Sequence, residues 1–196
     1  KDLAPVRDIF QGAGEQTLAS MVIVSTKKGH MFFADMAVNT SPSASELVDI
    51  TRMTASTVRR FGREPVIAML SHSNFGSDTE MEATKVAEAV RVLHDNYPDI
   101  LVDGEMKADI ALDADFRGKA YPFNKLGNRE VNTFIFPNLP AANISYKIMD
   151  YLGGAEITGP ILMGLGGGVH LIAETSSVRT LVNLATVALA NLSDTE

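Results

Sequence analysis

The sequence contains no cysteine, which excludes disulfides and thiolate chemistry. Basic residues are outnumbered, because 17 Lys and Arg stand against 24 Asp and Glu, for a formal net charge of −7. With no basic run and no interleaving of aromatic and basic residues, we do not expect a nucleic-acid surface. A signal peptide and a long apolar span are also lacking, so we expect a cytoplasmic protein that does not contact a membrane.

The composition is typical of one compact unit. A chain of 196 residues with 45% hydrophobic content is long enough to bury roughly 70% of its unfolded surface. We predict a loop or a connection between lobes over residues 1–19 and a single domain over residues 20–196. The first residue is Lys1 rather than Met, which favours a segment of a longer polypeptide.

Short apolar runs alternate with amphipathic segments, and this alternation predicts an α/β fold with a mostly parallel sheet. Ser43 and Glu46 form a capping box that begins one helix, and Thr79 with Glu82 is a second candidate box. The first two strands are predicted to pair as a hairpin. The predicted strands are 18–25, 31–35, 65–70, 100–102, 131–136 and 157–163; the predicted helices are 45–61, 79–97, 141–152 and 177–192, with a helical turn or two in 108–116.

The predicted helix over residues 177–192 is apolar on nearly every face. A helix of this kind is normally buried, so we expect it to pack on the rest of the chain or on a second copy. Its apolar residues are Val178, Leu181, Val182, Leu184, Ala185, Val187, Ala188 and Leu189.

The longest motif in the chain begins at residue 134. Residues 134–147 read Phe-Ile-Phe-Pro-Asn-Leu-Pro-Ala-Ala-Asn-Ile-Ser-Tyr-Lys, residues 153–155 read Gly-Gly-Ala and residues 159–165 read Gly-Pro-Ile-Leu-Met-Gly-Leu. This order resembles the phosphotransacetylase family, whose members carry Phe-Pro-(Asp/Asn)-Leu-x-Ala-x-Asn-Ile-x-Tyr-Lys, Gly-Gly-Ala and Gly-Pro-Ile-Leu-x-Gly-Leu at this spacing. The resemblance implies a three-layer α/β sandwich with a mostly parallel sheet, like that of isocitrate and isopropylmalate dehydrogenases.

Two further segments resemble one particular branch of this family. Residues 71–77 read Ser-His-Ser-Asn-Phe-Gly-Ser and residues 121–126 read Tyr-Pro-Phe-Asn-Lys-Leu. Both look like the branch that is fused to the C-terminus of bacterial NADP-dependent malic enzymes, whereas free-standing members usually read Ser-Phe-Ser-Thr-Lys-Gly-Ser at the first segment. The resemblance implies that upstream domains of the same polypeptide convert malate to pyruvate with NADP and a divalent metal, Mg or Mn.

The residues that transfer acetyl groups in the family are replaced in this chain. In active members a Ser-Arg pair and a following Asp stabilise the transition state and activate the thiol of coenzyme A. Alignment on the Gly-Pro-Ile-Leu motif puts Ala173, Glu174 and Thr180 at those three positions. Losing one preorganised donor typically costs about 10²- to 10³-fold in rate, so we do not expect acetyl transfer.

The residues that match the binding motifs of the family are retained. The resemblance implies an acyl-CoA site made by Asn138, Asn143, Tyr146, Lys147 and Asn183. Amides suit the peptide-like groups of a pantetheine arm and an ammonium suits a phosphate. The alternative interpretation is structural, with Asn138 and Asn143 as turn or helix caps and Lys147 as a solvated helix residue.

Other patterns give weaker indications. The glycine run 164–168 suggests a phosphate loop, but no acidic residue follows at the spacing that a dinucleotide fold needs, so a flexible loop is the preferred interpretation. His72 follows a strand and is a candidate ligand contact, whereas His30, His94 and His170 are interpreted as structural or exposed. We interpret the following acids as solvated rather than as a metal site: Asp103, Glu105, Asp109, Asp113 and Asp115.

The leading hypothesis from the sequence is a phosphotransacetylase-like regulatory and oligomerising domain that senses acetyl-CoA and contains neither a catalytic residue nor a cofactor of its own. We expect a homodimer or a higher homo-oligomer. Two alternatives stay open: an active phosphate acetyltransferase fragment and a structural dimerisation domain with no ligand.

Overall fold

The structure is a computed structural model that describes residues 17–27, 29–164, 178, 181–182 and 184–186. The predicted loop 1–19 therefore lies almost entirely outside the described residues. The strands are β1 Ala19–Thr26, β2 Gly29–Ala34, β3 Ile67–Leu70, β4 Val102–Met106, β5 Thr133–Ile135 and β6 Glu156–Met163. The helices are α1 Ala44–Arg60, α2 Met81–Asn96, α3 Ala108–Leu112, α4 Ala114–Ala120 and α5 Leu139–Gly153.

The six strands form one sheet in the order β4-β3-β5-β2-β1-β6. Strands β4, β3, β5 and β2 are parallel neighbours, whereas β1 is antiparallel to both β2 and β6. Five of the six strands therefore share one direction, which confirms the prediction of a mostly parallel sheet. The predicted hairpin is confirmed by the β1–β2 pairing, which extends from Met21 opposite Ala34 to Thr26 opposite Gly29.

Side chains on the two faces of the sheet fill two separate cores. In β3, Ile67 and Met69 pack on the side of α1 and α2, whereas Ala68 and Leu70 pack on the side of α3 and α5. All four residues are buried, as expected for a strand that is covered on both faces. The arrangement of helices, sheet and helices confirms the predicted three-layer sandwich.

The two predicted capping boxes have different outcomes. At α1, Glu46 N donates to Ser43 Oγ and Ser43 N donates to Glu46 Oε2, so this box is confirmed. At α2 the prediction of a Thr79–Glu82 box is wrong, because the N-cap residue is Glu80 and no side chain caps the helix. The carboxylate of Glu82 is instead engaged by Lys85 and Asn138.

Strand β4 begins two residues later than the predicted strand 100–102 and continues to Met106, through the polar residues Asp103 and Glu105. Two buried carboxylates make this possible, because each has its own donors. Asp103 Oδ2 accepts from Lys125 N at 2.6 Å, and Glu105 Oε1 accepts from Ser73 Oγ and Gly76 N, both at 2.7 Å. Hydrogen bonding of this kind offsets the cost of burying a charge.

The segment between β4 and β5 is organised around Arg117, which is fully buried. Its guanidinium donates to four backbone carbonyls, those of Ile110, Ala111, Gly127 and Arg129. Burial lowers the pKa of Arg117, although Asp103 and Asp113 oppose the shift. One side chain thereby fixes α3, α4 and the loop after them as a unit, where the sequence predicted only a helical turn or two.

The structure describes only six residues of the predicted terminal helix 177–192. Residues 178, 181–182 and 184–186 are helical, and the rest of 177–192 lies outside the described residues. Leu184 is 2% exposed and joins the core beside α1, but Val178 is 76% and Val182 58% exposed. Leu184 therefore packs on its own chain, whereas a second copy as the partner of Val178 and Val182 stays a prediction.

None of the helices in the described part of the chain is long and apolar enough to cross a membrane.

Candidate ligand-binding site

A pocket of about 650 Å³ lies where β3 and β5 end and α3 begins. Such a position, at the carboxyl ends of parallel strands, is where α/β proteins usually bind ligands. Apolar contacts come from Leu70, Met81, Ala108, Phe136, Pro137 and Ala141. Polar groups come from Ser71, His72, Glu80, Glu82, Asn138 and Ser145.

A hydrogen-bonded network joins the beginning of α2 to the beginning of α5 at the pocket wall. Lys85 Nζ donates to Glu82 Oε1 at 3.0 Å, to Glu82 Oε2 at 3.1 Å and to Pro137 O at 3.1 Å. Asn138 Nδ2 donates to Glu82 Oε2 at 3.1 Å. Burial by itself raises the pKa of Glu82, but the bonds from Lys85 and Asn138 outweigh it and the pKa is lowered overall. Glu82 is thus ionised at neutral pH.

His72 and Asp78 lie in contact at the opening of the pocket. His72 Nε2 lies 3.3 Å from Asp78 Oδ2, and both side chains are more than one third exposed. The pKa of Asp78 is lowered, chiefly by the backbone N–H of Glu80; desolvation opposes the shift, and His72 adds to it. The histidine that the sequence suggested as a ligand contact therefore does line the pocket.

The two segments that resemble the malic-enzyme branch touch each other beside the pocket. Phe75 packs its ring against Tyr121 at 4.9 Å and Phe123 at 5.3 Å between centroids. Among the described residues, Phe75 is the only one besides glycine with a positive φ, at 48°, a conformation that costs roughly 1–2 kcal/mol. Phe75 stands where free-standing members usually carry lysine, and it does not line the pocket.

Of the four described residues of the implied acyl-CoA site, only Asn138 lines this pocket. Asn138 lines the pocket and caps α5, because its Oδ1 accepts from Ala141 N at 3.0 Å. Asn143 and Lys147 lie one turn apart on another face of α5, and neither lines the pocket. With 3.6 residues per turn, each is about 200° around the helix from the pocket-lining residue two positions before it, Ala141 and Ser145 respectively.

The remaining members of that set have different positions. Tyr146 is half-buried against the core beside α5, and Lys147 Nζ lies 5.2 Å from the centroid of its ring. Asn183 lies outside the described residues, and so do the three replaced transfer positions, Ala173, Glu174 and Thr180.

The other sequence candidates are spread through the fold. Asp113 Oδ1 caps α4 by accepting from Phe116 N, and His94 Nε2 lies 2.9 Å from Val102 O. Within the described ranges no group of three or more His, Asp or Glu could hold a metal ion. Of the glycine run, Gly164 alone is described, and His170 also lies outside the described residues.

The sequence did not single out several residues of the pocket wall. The helical pattern gives no functional signal for Glu80, Met81 or Ser145, and it indicates only a capping role for Glu82. One signal was available, since a loop after a buried strand leads directly into the Glu80–Glu82 segment and such loops form the sheet edge where ligands bind. The pairing of Glu82 with Asn138 had no local signal, because the two residues are 56 positions apart.

The fold and the pocket define an α/β protein with a candidate ligand pocket at the carboxyl edge of its sheet. A family model described as Phosphate acetyl/butaryl transferase matches residues 1–189. The chain therefore belongs to that family, as its motifs suggested.

Particular relatives refine this assignment. The NADP-dependent malic enzyme of Haemophilus influenzae is 37% identical over 189 residues, which is 96% of this chain and 25% of the relative. The phosphate acetyltransferase of Bacillus subtilis is 34% identical over 90% of this chain and 54% of its own length. A phosphotransacetylase structure from Streptococcus pyogenes aligns with a TM-score of 0.90 and 32% identity, covering 98% of this chain and 59% of that one. The chain is thus a phosphotransacetylase-like domain of a type found in malic enzymes, and it spans about a quarter of that malic enzyme.

Proposed function

We propose that this chain is the regulatory and oligomerising domain of an NADP-dependent malic enzyme, and that it binds acetyl-CoA without transferring the acetyl group. The supporting observation is an asymmetry. Asn138 stands at a pocket of about 650 Å³, within the usual range of roughly 300–1,000 Å³ for ligand sites. The positions that carry transfer chemistry in the family are Ala173, Glu174 and Thr180.

A ligand that is held but not consumed suits an effector. The coupling that regulation needs is modest, typically about 1–3 kcal/mol. In this proposal acetyl-CoA binds at the N-terminal half of α5, with Lys147 available to a phosphate because its ammonium is exposed beside Tyr146. Bound acetyl-CoA then lowers the malic activity of the upstream domains, which supply NADP and the divalent metal.

An exposed apolar stripe on α5 supports the oligomerising part of the proposal. Ile144, Ile148, Tyr151 and Leu152 are 60%, 52%, 90% and 78% exposed. Their spacing of four, three and one residues places them along one side of the helix. Two copies that bury the same stripe against each other would form a two-fold dimer.

Calorimetric titration of acetyl-CoA tests the proposal, with acetyl-CoA formation from acetyl phosphate and coenzyme A as the companion assay. We expect binding, and no turnover in the common range of about 1–10³ per second. Lys147→Ala should raise the acetyl-CoA concentration for half-inhibition of malic activity, and Lys119→Ala, an exposed lysine on α4, is the matched control.

Each rival function has its own outcome in these assays. Turnover in that range would favour an active transferase. Binding without turnover in a protein whose malic activity ignores acetyl-CoA would remove the regulatory role, and absence of binding would leave a structural dimerisation domain.

A further inference from the structure

All the sulfur in this chain belongs to methionine, because the sequence has nine methionines and no cysteine. All nine lie within the described residues. One of them, Met81, is 80% exposed, whereas the other eight are buried or half-buried. An oxidant dissolved in water therefore has one thioether within easy reach. The eight protected methionines are Met21, Met31, Met36, Met53, Met69, Met106, Met149 and Met163.

The buried thioethers are enclosed by packed neighbours. Met69 Sδ lies 4.0 Å from Thr51 Oγ1, and Met163 Sδ lies 3.9 Å from Thr54 Oγ1, in the core beside α1. An oxygen added to either sulfur would need space that a close-packed interior does not have. The same oxygen added to Met81 would point into solvent. Oxidation at Met81 should therefore leave the fold intact.

Met81 is also placed where its chemistry bears on binding. It is the first residue of α2 and lines the mouth of the pocket of about 650 Å³ at the carboxyl edge of the sheet. An exposed apolar side chain is by itself an ordinary surface feature. On a pocket wall, however, a flexible thioether provides apolar surface that adapts to what binds there.

We propose that Met81 is a reversible oxidation site, at which hydrogen peroxide converts the thioether to the sulfoxide and so weakens ligand binding in the pocket. A lone pair of Sδ forms an S–O bond with one peroxide oxygen, the O–O bond breaks, and the second oxygen leaves as water with both protons. The sulfur loses two electrons and the peroxide gains them. Methionine sulfoxide reductases reverse the change with a thiol as reductant.

The added oxygen changes what the mouth of the pocket offers to a ligand. A sulfoxide oxygen is an acceptor, and burying an acceptor costs free energy unless a donor meets it. The adjacent Glu82 is ionised and can only accept, and His72 Nε2 already lies 3.3 Å from Asp78 Oδ2. A ligand that covers the thioether buries apolar surface, whereas a ligand that covers the sulfoxide has to remove water from an acceptor.

Peptide mass spectrometry after brief treatment of the folded protein with hydrogen peroxide tests the site. We expect Met81 to gain one oxygen at least about tenfold faster than any other methionine, because reactivity follows exposure. In urea all nine methionines should react at similar rates, which controls for intrinsic differences. Similar rates in the folded protein, or another methionine that reacts first, would overturn the proposal.

Calorimetric titration of acetyl-CoA before and after peroxide treatment tests the consequence for binding, and this part rests on the proposed function. The oxidised protein should bind acetyl-CoA about tenfold more weakly, near the low end of what one hydrophobic contact contributes in a pocket. Treatment with the reductases for both sulfoxide epimers, with dithiothreitol, should restore the affinity. An affinity that stays low after complete reduction would mean that oxidation acts by damage rather than through a reversible site.

Three variants assign the effect to one side chain. Met81→Leu has no thioether at the pocket, so peroxide should not change its affinity for acetyl-CoA. Met149→Leu removes a half-buried methionine of α5 that does not line the pocket, and peroxide should weaken its binding as it does in the unaltered protein. Met81→Gln carries a polar group of similar length and should bind with nearly the affinity of the oxidised protein without any peroxide.

The outcomes separate this proposal from the proposed function. Equal losses of affinity in peroxide-treated Met81→Leu and unaltered protein would place the sensitive residue elsewhere. Oxidation confined to Met81 with no change in acetyl-CoA affinity would overturn the effect on the pocket and leave acetyl-CoA sensing intact. An untreated protein that does not bind acetyl-CoA would remove the proposed function, and the peptide measurement would still decide whether Met81 is the oxidation site.

Discussion

Lys85 is the single residue whose contacts define the pocket wall. Its ammonium bridges Glu82, which lies one turn away on the same helix, and the carbonyl of Pro137, which lies 52 positions further along the chain. Lys85→Met keeps most of the side-chain length but removes the ammonium donor from Pro137 O and leaves Glu82 with the bond from Asn138. We expect a loss of roughly 1–3 kcal/mol in the free energy of unfolding.

Urea denaturation measures this loss as a lower midpoint with an unchanged slope. Lys119→Met, an exposed lysine on α4, is the control and should shift the free energy of unfolding by no more than about 0.5 kcal/mol. Equal midpoints for the two variants would show that the Lys85 network contributes nothing to stability.

The loss of stability in Lys85→Met is predicted to depend on pH. The folded-state pKa of Glu82 is lowered from its ordinary value of 4.5, so its contribution to stability is complete above that value and is lost as the pH falls through the folded pKa. Lys85→Met removes one cause of the lowering. The stability gap between the two proteins should therefore narrow below about pH 4.5, and a gap of constant size from pH 7 to pH 3 would contradict the assignment.

At the scale of the elements, the β3–β4 contact depends on a glycine. Gly104 has a φ of 148°, and a Cβ there would lie 2.6 Å from the backbone oxygen of Met69. Gly104→Ala should therefore destabilise the protein by about 3 kcal/mol or more, through strain and overlap together. Gly62→Ala, where φ is 69° and nothing lies within 4 Å, isolates the strain and should cost only about 1–2 kcal/mol.

Thermal unfolding of the two alanine variants compares these effects directly. A Gly104→Ala protein as stable as Gly62→Ala would mean that β4 can move away from β3 at little cost, contrary to the packing of both faces of the sheet.

Elements with local signals were predictable from the sequence, and those that depend on distant partners were not. The predicted ends of helix α1 are each within one residue of the observed ends, because Ser43 and Glu46 form a capping box that is recognisable in the sequence. Strand β4 was misplaced because Asp103 and Glu105 look like loop residues until Lys125 and Ser73 supply their hydrogen bonds. The candidate site follows the same rule, since the Asn138 motif was visible whereas the Glu82–Lys85 wall exists only in the folded protein.

At the scale of the whole molecule, the apolar stripe of α5 determines the expected assembly. We predict that the protein is a homo-oligomer and that Leu152→Glu, which puts a charge into the stripe, converts it to a monomer. Light scattering at tens of micromolar, near the weaker end of specific affinities, makes the measurement. Leu112→Glu changes another exposed leucine, on α3, and should keep the assembly.

An unaltered protein that is monomeric at that concentration would contradict the prediction. A Leu152→Glu protein that keeps its oligomeric state would place the interface elsewhere, with the exposed Val178 and Val182 as the next residues to test.

The position of β1 in the sheet has a consequence during synthesis on the ribosome. Ala19 pairs with Met163, so the outer edge of β1 has no partner until about 140 further residues have been made. At roughly 5–20 residues per second this interval lasts roughly 7–28 s. During this interval the nascent chain exposes an unpaired, apolar strand edge, and such edges can pair with strands of other chains. Chaperone occupancy on translating ribosomes should therefore rise after residue 26 emerges and fall once β6 has emerged.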